Sequence, residues 1–400
     1  MNKTNLIILF FTMVVIMLGF GIIIPIMPFY VEQYGASGSE LGMLMAVFSI
    51  MQFLAAPLWG SLSDRYGRKR ILMVGAMGNA IAHLIFGFAT NLGMMFLSRT
   101  LAGLLSSATM PTALAYISDS TDERNRGGGM GILGAAFGVG MVLGPGLGGW
   151  LGGENLSRPF FLAASLSIAS LLLILFILPE SLPAEKRVMG PSKLHGPQFG
   201  LMWRSLFGPI GFLLILSFLL NYGLANFEGI FGLYAKHRYD YNPQQVGSIM
   251  TIIGLISALI QGLLTGPATR LLGEEKLIKI SLFASSLGFV FMLMAQNYAG
   301  VILTVGFFVL SNAMLRPSVG SLVSKRAQGG QGAALGLSSS YESLGRVIGP
   351  LWAGSLFDVN IRLPYASAAL IMLAAFGLSL FNMKRVPAIS KAAQIEPAGE

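Results

Sequence analysis

The sequence predicts an all-α integral membrane protein, with twelve transmembrane helices in two pseudo-symmetric six-helix bundles. Of its 400 residues, 54% are hydrophobic and only 11% are charged, whereas an average soluble domain is about one-quarter charged. Ten stretches, from Thr4–Val31 to Leu363–Met383, contain no Asp, Glu, Lys or Arg. Their lengths suit bilayer-crossing helices, which need about 20 apolar residues. The third observation is a repeat. The stretch Gly127–Gly149, GGGMGILGAAFGVGMVLGPGLGG, returns 205 positions later. Gly127, Gly131, Gly140, Gly144, Pro145 and Gly149 fall on Gly332, Gly336, Gly345, Gly349, Pro350 and Gly354. Self-similarity at one fixed offset marks a duplicated unit. Barrel strands would instead need short alternating segments, which are absent.

With turn signals placed inside the longest runs, helices 1 to 6 lie near 6–30, 41–63, 71–89, 92–118, 127–152 and 159–179. Helices 7 to 12 lie near 207–235, 243–269, 276–296, 299–324, 331–357 and 363–383. This divides the chain into a first bundle at 1–180, a linker at 181–206, a second bundle at 207–386 and a tail at 387–400. Nineteen of the 26 Lys and Arg fall at one end: the N-terminus, loops 64–70, 119–126, 180–206, 270–279 and 325–326, and the tail. The positive-inside rule then places both termini in the cytoplasm of a multi-pass protein of the cell (inner) membrane. The net charge of +9 reflects this topology; a nucleic-acid surface would need a soluble basic domain, and there is none. Helix 1 is too long for a signal-peptide core and ends without a small-residue cleavage site, so it is retained. The absence of cysteine excludes disulfides and thiolate metal sites, and three widely spaced histidines suggest no metal centre. There is no G-x-x-x-x-G-K-[ST] loop, so neither ATP coupling nor a cofactor is expected.

Helix 1 ends in Pro25-Ile-Met-Pro28-Phe29-Tyr30. The two prolines predict a kink or an early end, and the aromatics an interfacial position. Helix 2 carries Gln52 and closes on Gly60-Ser-Leu-Ser-Asp64-Arg65-Tyr-Gly67-Arg68-Lys69-Arg70. Topology alone explains the cations, but not an Asp and a Gly at fixed places among them. Gly67 suits a tight turn with positive φ. Asp64 can bind backbone N–H groups or a guanidinium, and Asp119 at the adjacent helix end is expected to join that network. The loop matches G-x-x-x-D-R-x-G-R-[KR] at every position and resembles the loop 2–3 signature of the major facilitator superfamily. The repeat stretch resembles the helix-5 motif of that superfamily's drug:proton antiporters, G-x-x-x-G-P-x-x-G-G, at Gly140, Gly144, Pro145, Gly148 and Gly149. Arg99 and Gly103 of helix 4 resemble a third motif, R-x-x-x-G. The resemblance covers residues 5–385. The chain departs from tetracycline exporters at Ile16, where they carry Asp, and at Ala284-Ser-Ser, where they carry an acid. The second copy of the loop signature, Gly266-Pro-Ala-Thr269-Arg270-Leu-Leu-Gly273, has Thr in the Asp place and one extra residue.

Small residues let helices approach closely in lipid, so most of these glycines read as packing residues. The Gly-Pro pairs at 144–145 and 349–350 weaken the helical ladder and predict bends. Ionisable groups inside spans are costly and therefore candidates for function. There are six: His83, Arg99, Glu228, Arg316, Glu342 and Arg346. Glu342 and Arg346 stand i,i+4 and read as a self-neutralising pair or as coupling residues. Glu228 has no cation within one helical turn. Desolvation without a counter-charge disfavours its ionised form, which suits a proton carrier. His83 reads as a hydrogen-bonded packing residue, and Arg99 and Arg316 as partners of polar groups or carbonyls.

By the resemblance, helices 1, 4, 7 and 10 line a central cavity. Its candidate substrate contacts are Phe29, Tyr30, Gln52, Arg99, Asn221, Asn226, Glu228, Asn312, Arg316, Glu342 and Arg346, with Glu228 and Glu342 as candidate proton sites. The expected function is a proton-coupled secondary transporter, not an enzyme, that exports small, mostly apolar or amphipathic compounds by alternating access. Its expected partners are that substrate, protons and the bilayer, and it is expected to act as a monomer. The rival is a lipid or nutrient permease of the same fold. A membrane enzyme would need a nucleophile or metal set that the chain does not present, and a non-transporting sensor is separable by flux through vesicles. The Pro-, Lys- and Gly-rich linker reads as solvated, with one interfacial helical turn near Trp203. The tail beyond Pro387 reads as disordered.

Overall fold

The computed structural model describes residues 3–121, 123–187, 199–327 and 330–383, with backbone alone for Lys3 and for 123–126. The tail and linker residues 188–198 lie outside the described residues. Among the described residues there are helices and no strands, and twelve helical segments are long. Helices 1 to 6 run Lys3–Glu32, Gly38–Tyr66, Arg68–Gly87, Leu92–Ser120, Glu123–Gly152 and Arg158–Phe176. Helices 7 to 12 run Gly211–Tyr239, Pro243–Leu272, Glu274–Met294, Tyr298–Arg326, Gln331–Val359 and Leu363–Asn382. Eleven of them are long and apolar enough to cross a membrane. The exception is helix 11, whose 29 residues include Ser338, Ser339, Ser340, Glu342, Ser343 and Arg346.

The duplication extends to the helix caps. Helix 2 starts on a capping box, Ser37 with Glu40, and helix 8 starts on another, Asn242 with Gln245, at the same 205-residue offset. Each box satisfies two N–H groups that a helix start leaves unpaired. Asn91 and Asn297 cap helices 4 and 10, each side chain accepting from a first-turn N–H, of Met94 and of Gly300. Tight turns join helices 2 to 3 and 8 to 9 through Gly67 (φ 96°) and Gly273 (φ 73°), a backbone region that glycine enters without penalty.

One expectation about helix length changes. Helix 1 continues through Pro25 and Pro28 to Glu32 instead of ending early; residues 21–31 are all buried, so packing on every side supports the helix where the lost N–H groups weaken it. Helices 5 and 11 stay continuous through Pro145 and Pro350. The interruptions fall elsewhere. Helix 4 carries a π-helical turn at Ala102–Ser106 and resumes at Thr109. Helix 10 breaks at Met314, 205 positions on from Thr109. Helix 8 carries a second π-helical turn at Ile260–Leu264.

Helix 1 packs on helices 5 and 6 and helix 3 on helix 6; helix 7 packs on helix 11 and helix 9 on helix 12. Across the halves, helix 2 meets helix 11, helix 5 meets helix 8, and helix 1 meets helix 7. These cross-half contacts gather at the end of the molecule opposite the basic loop 64–70. There Gly42 lies against the Pro350 carbonyl and Gly149 against the Pro243 carbonyl. A Cβ on Gly232 would fall 2.8 Å from Pro28 Cγ. At the basic end helices 2, 5, 8 and 11 lose these contacts. A Cβ on Gly60, Gly131, Gly134, Gly138, Gly262, Gly266, Gly332 or Gly336 would meet nothing within 4 Å. The two halves therefore form a V, closed at the far end and open at the basic end.

Candidate transport pathway and its gates

The charged groups expected along the pathway come together in the second half. Arg316 of helix 10 places Nη2 2.8 Å from Glu342 Oε2 of helix 11. The Arg316 side chain is 59% exposed although it lies within a helix long enough to span, so it faces the open mouth of the V. Arg346, one turn along from Glu342, donates instead to Ser343 Oγ at 3.0 Å and, at 3.5 Å, toward Asn221 Oδ1 of helix 7. The expected Glu342–Arg346 pair is thus replaced by an interhelical Arg316–Glu342 pair. The i,i+4 spacing permits the local pair, but a cation on the adjacent helix reaches the carboxylate directly. Glu228 is partly accessible, and the cation that acts on it across space is Arg346. Its neighbour Gly229 faces Pro350 of helix 11 and Met45 of helix 2, which sets Glu228 just inside the closed end.

Other candidates lie elsewhere. Asn226 has no exposed surface, and both its side-chain amide atoms lack a protein partner. It is packed against helix 11 at Gly349. Phe29 and Tyr30 belong to the far end: with Gln33, Glu154 and Lys236 they line a separate cavity of about 500 Å³. The Tyr30 hydroxyl lies 2.9 Å from Ser157 Oγ and donates to the Ala89 carbonyl at 3.2 Å. Gln52 and Asn312 are half-buried, and Asn312 Nδ2 lacks a partner. Arg99 is buried with its Cζ 4.4 Å from the Phe48 ring centroid, a cation–π contact where polar partners were expected. Gly103 lies against the Phe48 carbonyl, so Arg99 and Gly103 together dock helix 4 onto helix 2. His83 is a packing residue as expected, with Nδ1 2.7 Å from the Asn79 carbonyl and Nε2 3.3 Å from the Gly19 carbonyl.

At the basic end Arg68 is buried and organises the loop. Its Nη1 lies 2.6 Å from Asp64 Oδ1, and its Nε donates to Asp119 Oδ2 at 2.9 Å. This is the network expected of Asp64 and Asp119. Arg65 instead stacks over Tyr66, outside the network. The sequence reading missed Glu180 at the end of helix 6, whose Oε1 accepts from the Arg68 N–H at 2.8 Å. An anion at a helix start satisfies unpaired N–H groups and the helix dipole. The second half keeps the same bracket with its charges exchanged. Glu274 and Glu275 begin helix 9 and pair with Lys325 and Arg326 at the end of helix 10, the latter at 2.6 Å. The adjacent acid and base doublets were the available signal.

The loop residues separate by burial. Asp64 is 47% exposed and Arg68 8%. Removing one partner of a buried pair costs about 3–5 kcal/mol, whereas exposed pairs are worth about 0–1 kcal/mol. Arg68→Ala should therefore lower the melting temperature of the purified protein strongly. Asp64→Asn should leave a folded protein that transports less. Equal melting losses in the two variants would contradict this ordering.

The closed end is held by backbone contact and two polar latches. Along helix 5, Gly140, Gly144 and Gly148 face helix 1, where a Cβ on Gly144 would fall 2.8 Å from Gly21 Cα. Gly149, on the other face, meets helix 8, and the Pro145 carbonyl lies against Gly247. Helix 11 repeats the pattern, with Gly345 and Gly349 on helix 7 and Gly354 on Gly38 of helix 2. Asp358 accepts from the Gly38 and Ser39 N–H groups at 2.7 and 2.9 Å, across the halves. Lys236 Nζ lies 2.6 Å from Glu32 Oε2, joining helix 7 to helix 1.

A family model described as Major Facilitator Superfamily matches residues 9–350 and, separately, 213–398. The chain is 34% identical over 381 residues to Multidrug resistance protein 2 of Bacillus subtilis (strain 168), covering 95% of each chain. It is 30% identical over 384 residues to the quinolone resistance protein NorA of Staphylococcus aureus (strain COL), covering 96% of this chain and 97% of that one. Among solved structures, the nucleoside transporter NupG superposes with a TM-score of 0.78 at 16% identity, covering 96% of this chain and 100% of that one. That likeness concerns the fold.

Proposed function

Because the chain belongs to the major facilitator superfamily, we propose that it exports small, mostly apolar or amphipathic compounds in exchange for protons. The observation that carries the coupling is Glu228, a partly accessible acid within helix 7 that forms no salt bridge among the described residues. It stands where a cavity open at one end meets the seal at the other. Desolvating a carboxylate that has no salt-bridge partner is costly, so protonation and substrate occupancy can compete at such a group. The multidrug and quinolone resistance relatives support efflux of such compounds.

In this reading the basic end is cytoplasmic, as its Lys and Arg imply, and the present state is inward-open in the cell membrane. The two halves, residues 1–180 and 207–386, rock about the central site, joined by 181–206. Substrate enters from the basic end and binds near Asn221, Glu228 and Arg346. The far-end latches then part while the basic-end glycines of helices 2, 5, 8 and 11 close on one another. Protonation of Glu228 from outside releases substrate and permits return. The test is accumulation of lipophilic cationic dyes in cells with and without the protein. Lower accumulation that a protonophore reverses is expected; equal accumulation would count against export.

A further inference from the structure

The open end of the V is not symmetric. On one side, helices 5 and 8 diverge with Gly131, Gly134, Gly138, Gly262 and Gly266 facing open space. On the other side, helices 2 and 11 diverge at Gly60, Gly332 and Gly336, but part of the linker fills the gap. The short helix Phe199–Ser205 lies between them. Its Phe199 ring meets the Phe53 ring of helix 2 edge-on, with centroids 6.1 Å apart. Its Met202 is 5% exposed and packs with Leu214 of helix 7 and Tyr341 of helix 11. The Tyr341 hydroxyl donates to the Met202 carbonyl at 2.8 Å. One short segment thus touches both halves, a ring contact to the first and a hydrogen bond to the second, at the end where the halves otherwise part.

We propose that this linker helix is a removable wedge. It occupies the slot between helices 2 and 11 in the present state and must leave before the basic end can close. Three facts carry this. Phe53 and Tyr341 stand on the facing helices and both touch the wedge, so closing the slot brings their helices into the volume that Met202 now fills. The buried methionine and the hydrogen bond are interactions available only while the slot is open. A segment that binds one of two states favours that state by its differential interaction. The wedge therefore biases the chain toward the form open at the basic end. It also closes one of the two lateral gaps, leaving that between helices 5 and 8 as the free one.

The proposal rests on the rocking motion proposed above but not on the identity of the substrate, and its test separates the two. Because the chain has no cysteine, introduced thiols are unique. Spin labels at Gly60→Cys and Gly332→Cys report the width of the slot in reconstituted protein. Tyr341→Phe and Met202→Ala should each raise the fraction of short distances severalfold. Unchanged distances in both variants would overturn the wedge, while a slot that narrows without transport would count against the export reading alone. In a second measurement, Phe53→Cys and Phe199→Cys are bridged by a cleavable bifunctional thiol reagent after folding. Dye transport by the full chain should stop, and should return when the link is cleaved. Transport by the linked protein at the unlinked rate would overturn the proposal.

Discussion

Glu228→Gln is expected to abolish uphill, pH-driven export while leaving downhill flux and exchange intact. Glutamine has the shape of the protonated acid but cannot release the proton, so the cycle loses its driving step and keeps its path. The effect should be specific, because Glu228 forms no salt bridge among the described residues that its neutralisation would break. Glu342→Gln is a contrasting case. It removes the partner of Arg316, but that guanidinium is 59% exposed and stays solvated, so only a partial loss in both flux modes is expected. Vesicle flux with and without an imposed pH gradient distinguishes the two. Uphill pumping by Glu228→Gln together with mere equilibration by Glu342→Gln would transfer the coupling role to helix 11.

The second large effect concerns glycines of one repeat that meet different surroundings. Gly149→Leu and Gly42→Leu should block closure of the far end, because a Cβ at either position would run into the backbone of the opposite half. Gly134→Leu should do the reverse. Its Cβ meets nothing within 4 Å in the present state, so it should fold and bind normally yet resist closure of the basic end. Gly144→Leu should be worst for folding, since helix 5 there touches helix 1 of the same half, and Gly144→Ala milder. Accessibility of single introduced cysteines at the two ends reads the direction of each shift. If Gly149→Leu and Gly134→Leu shift accessibility the same way, the two ends do not alternate.

Much of this architecture was legible because its causes are local or periodic. Eleven of the helices follow from apolar length and helix 11 from the 205-residue offset, which also relates Ser37 to Asn242. The loop network was readable because Gly67, Arg68 and Asp64 lie within one turn of one another. Partners set by neighbouring helices were not. Arg346 lies nearer to Glu342 in sequence than Arg316 does, yet Arg316 takes the carboxylate, since a helical pattern describes one surface and says nothing of what faces it. Glu180 carries no local signal, because its role depends on helix 3 starting beside it. Asn226 lies only two residues from Glu228, but on a helix that is enough to turn it to another face. The bracket of Glu274, Glu275, Lys325 and Arg326 keeps the pairing of the first half but not its residues, so the repeat does not display it.

The most direct test of the whole account uses vesicles holding only the purified chain, with the basic end outward and an acidic lumen. A lipophilic cationic dye supplied outside should accumulate in the lumen above its external concentration, while the lumen loses protons faster than without dye. Collapsing the pH gradient should let the dye leak back to equilibrium. Accumulation that survives the collapse, or dye movement that leaves lumenal pH untouched, would contradict proton-coupled export.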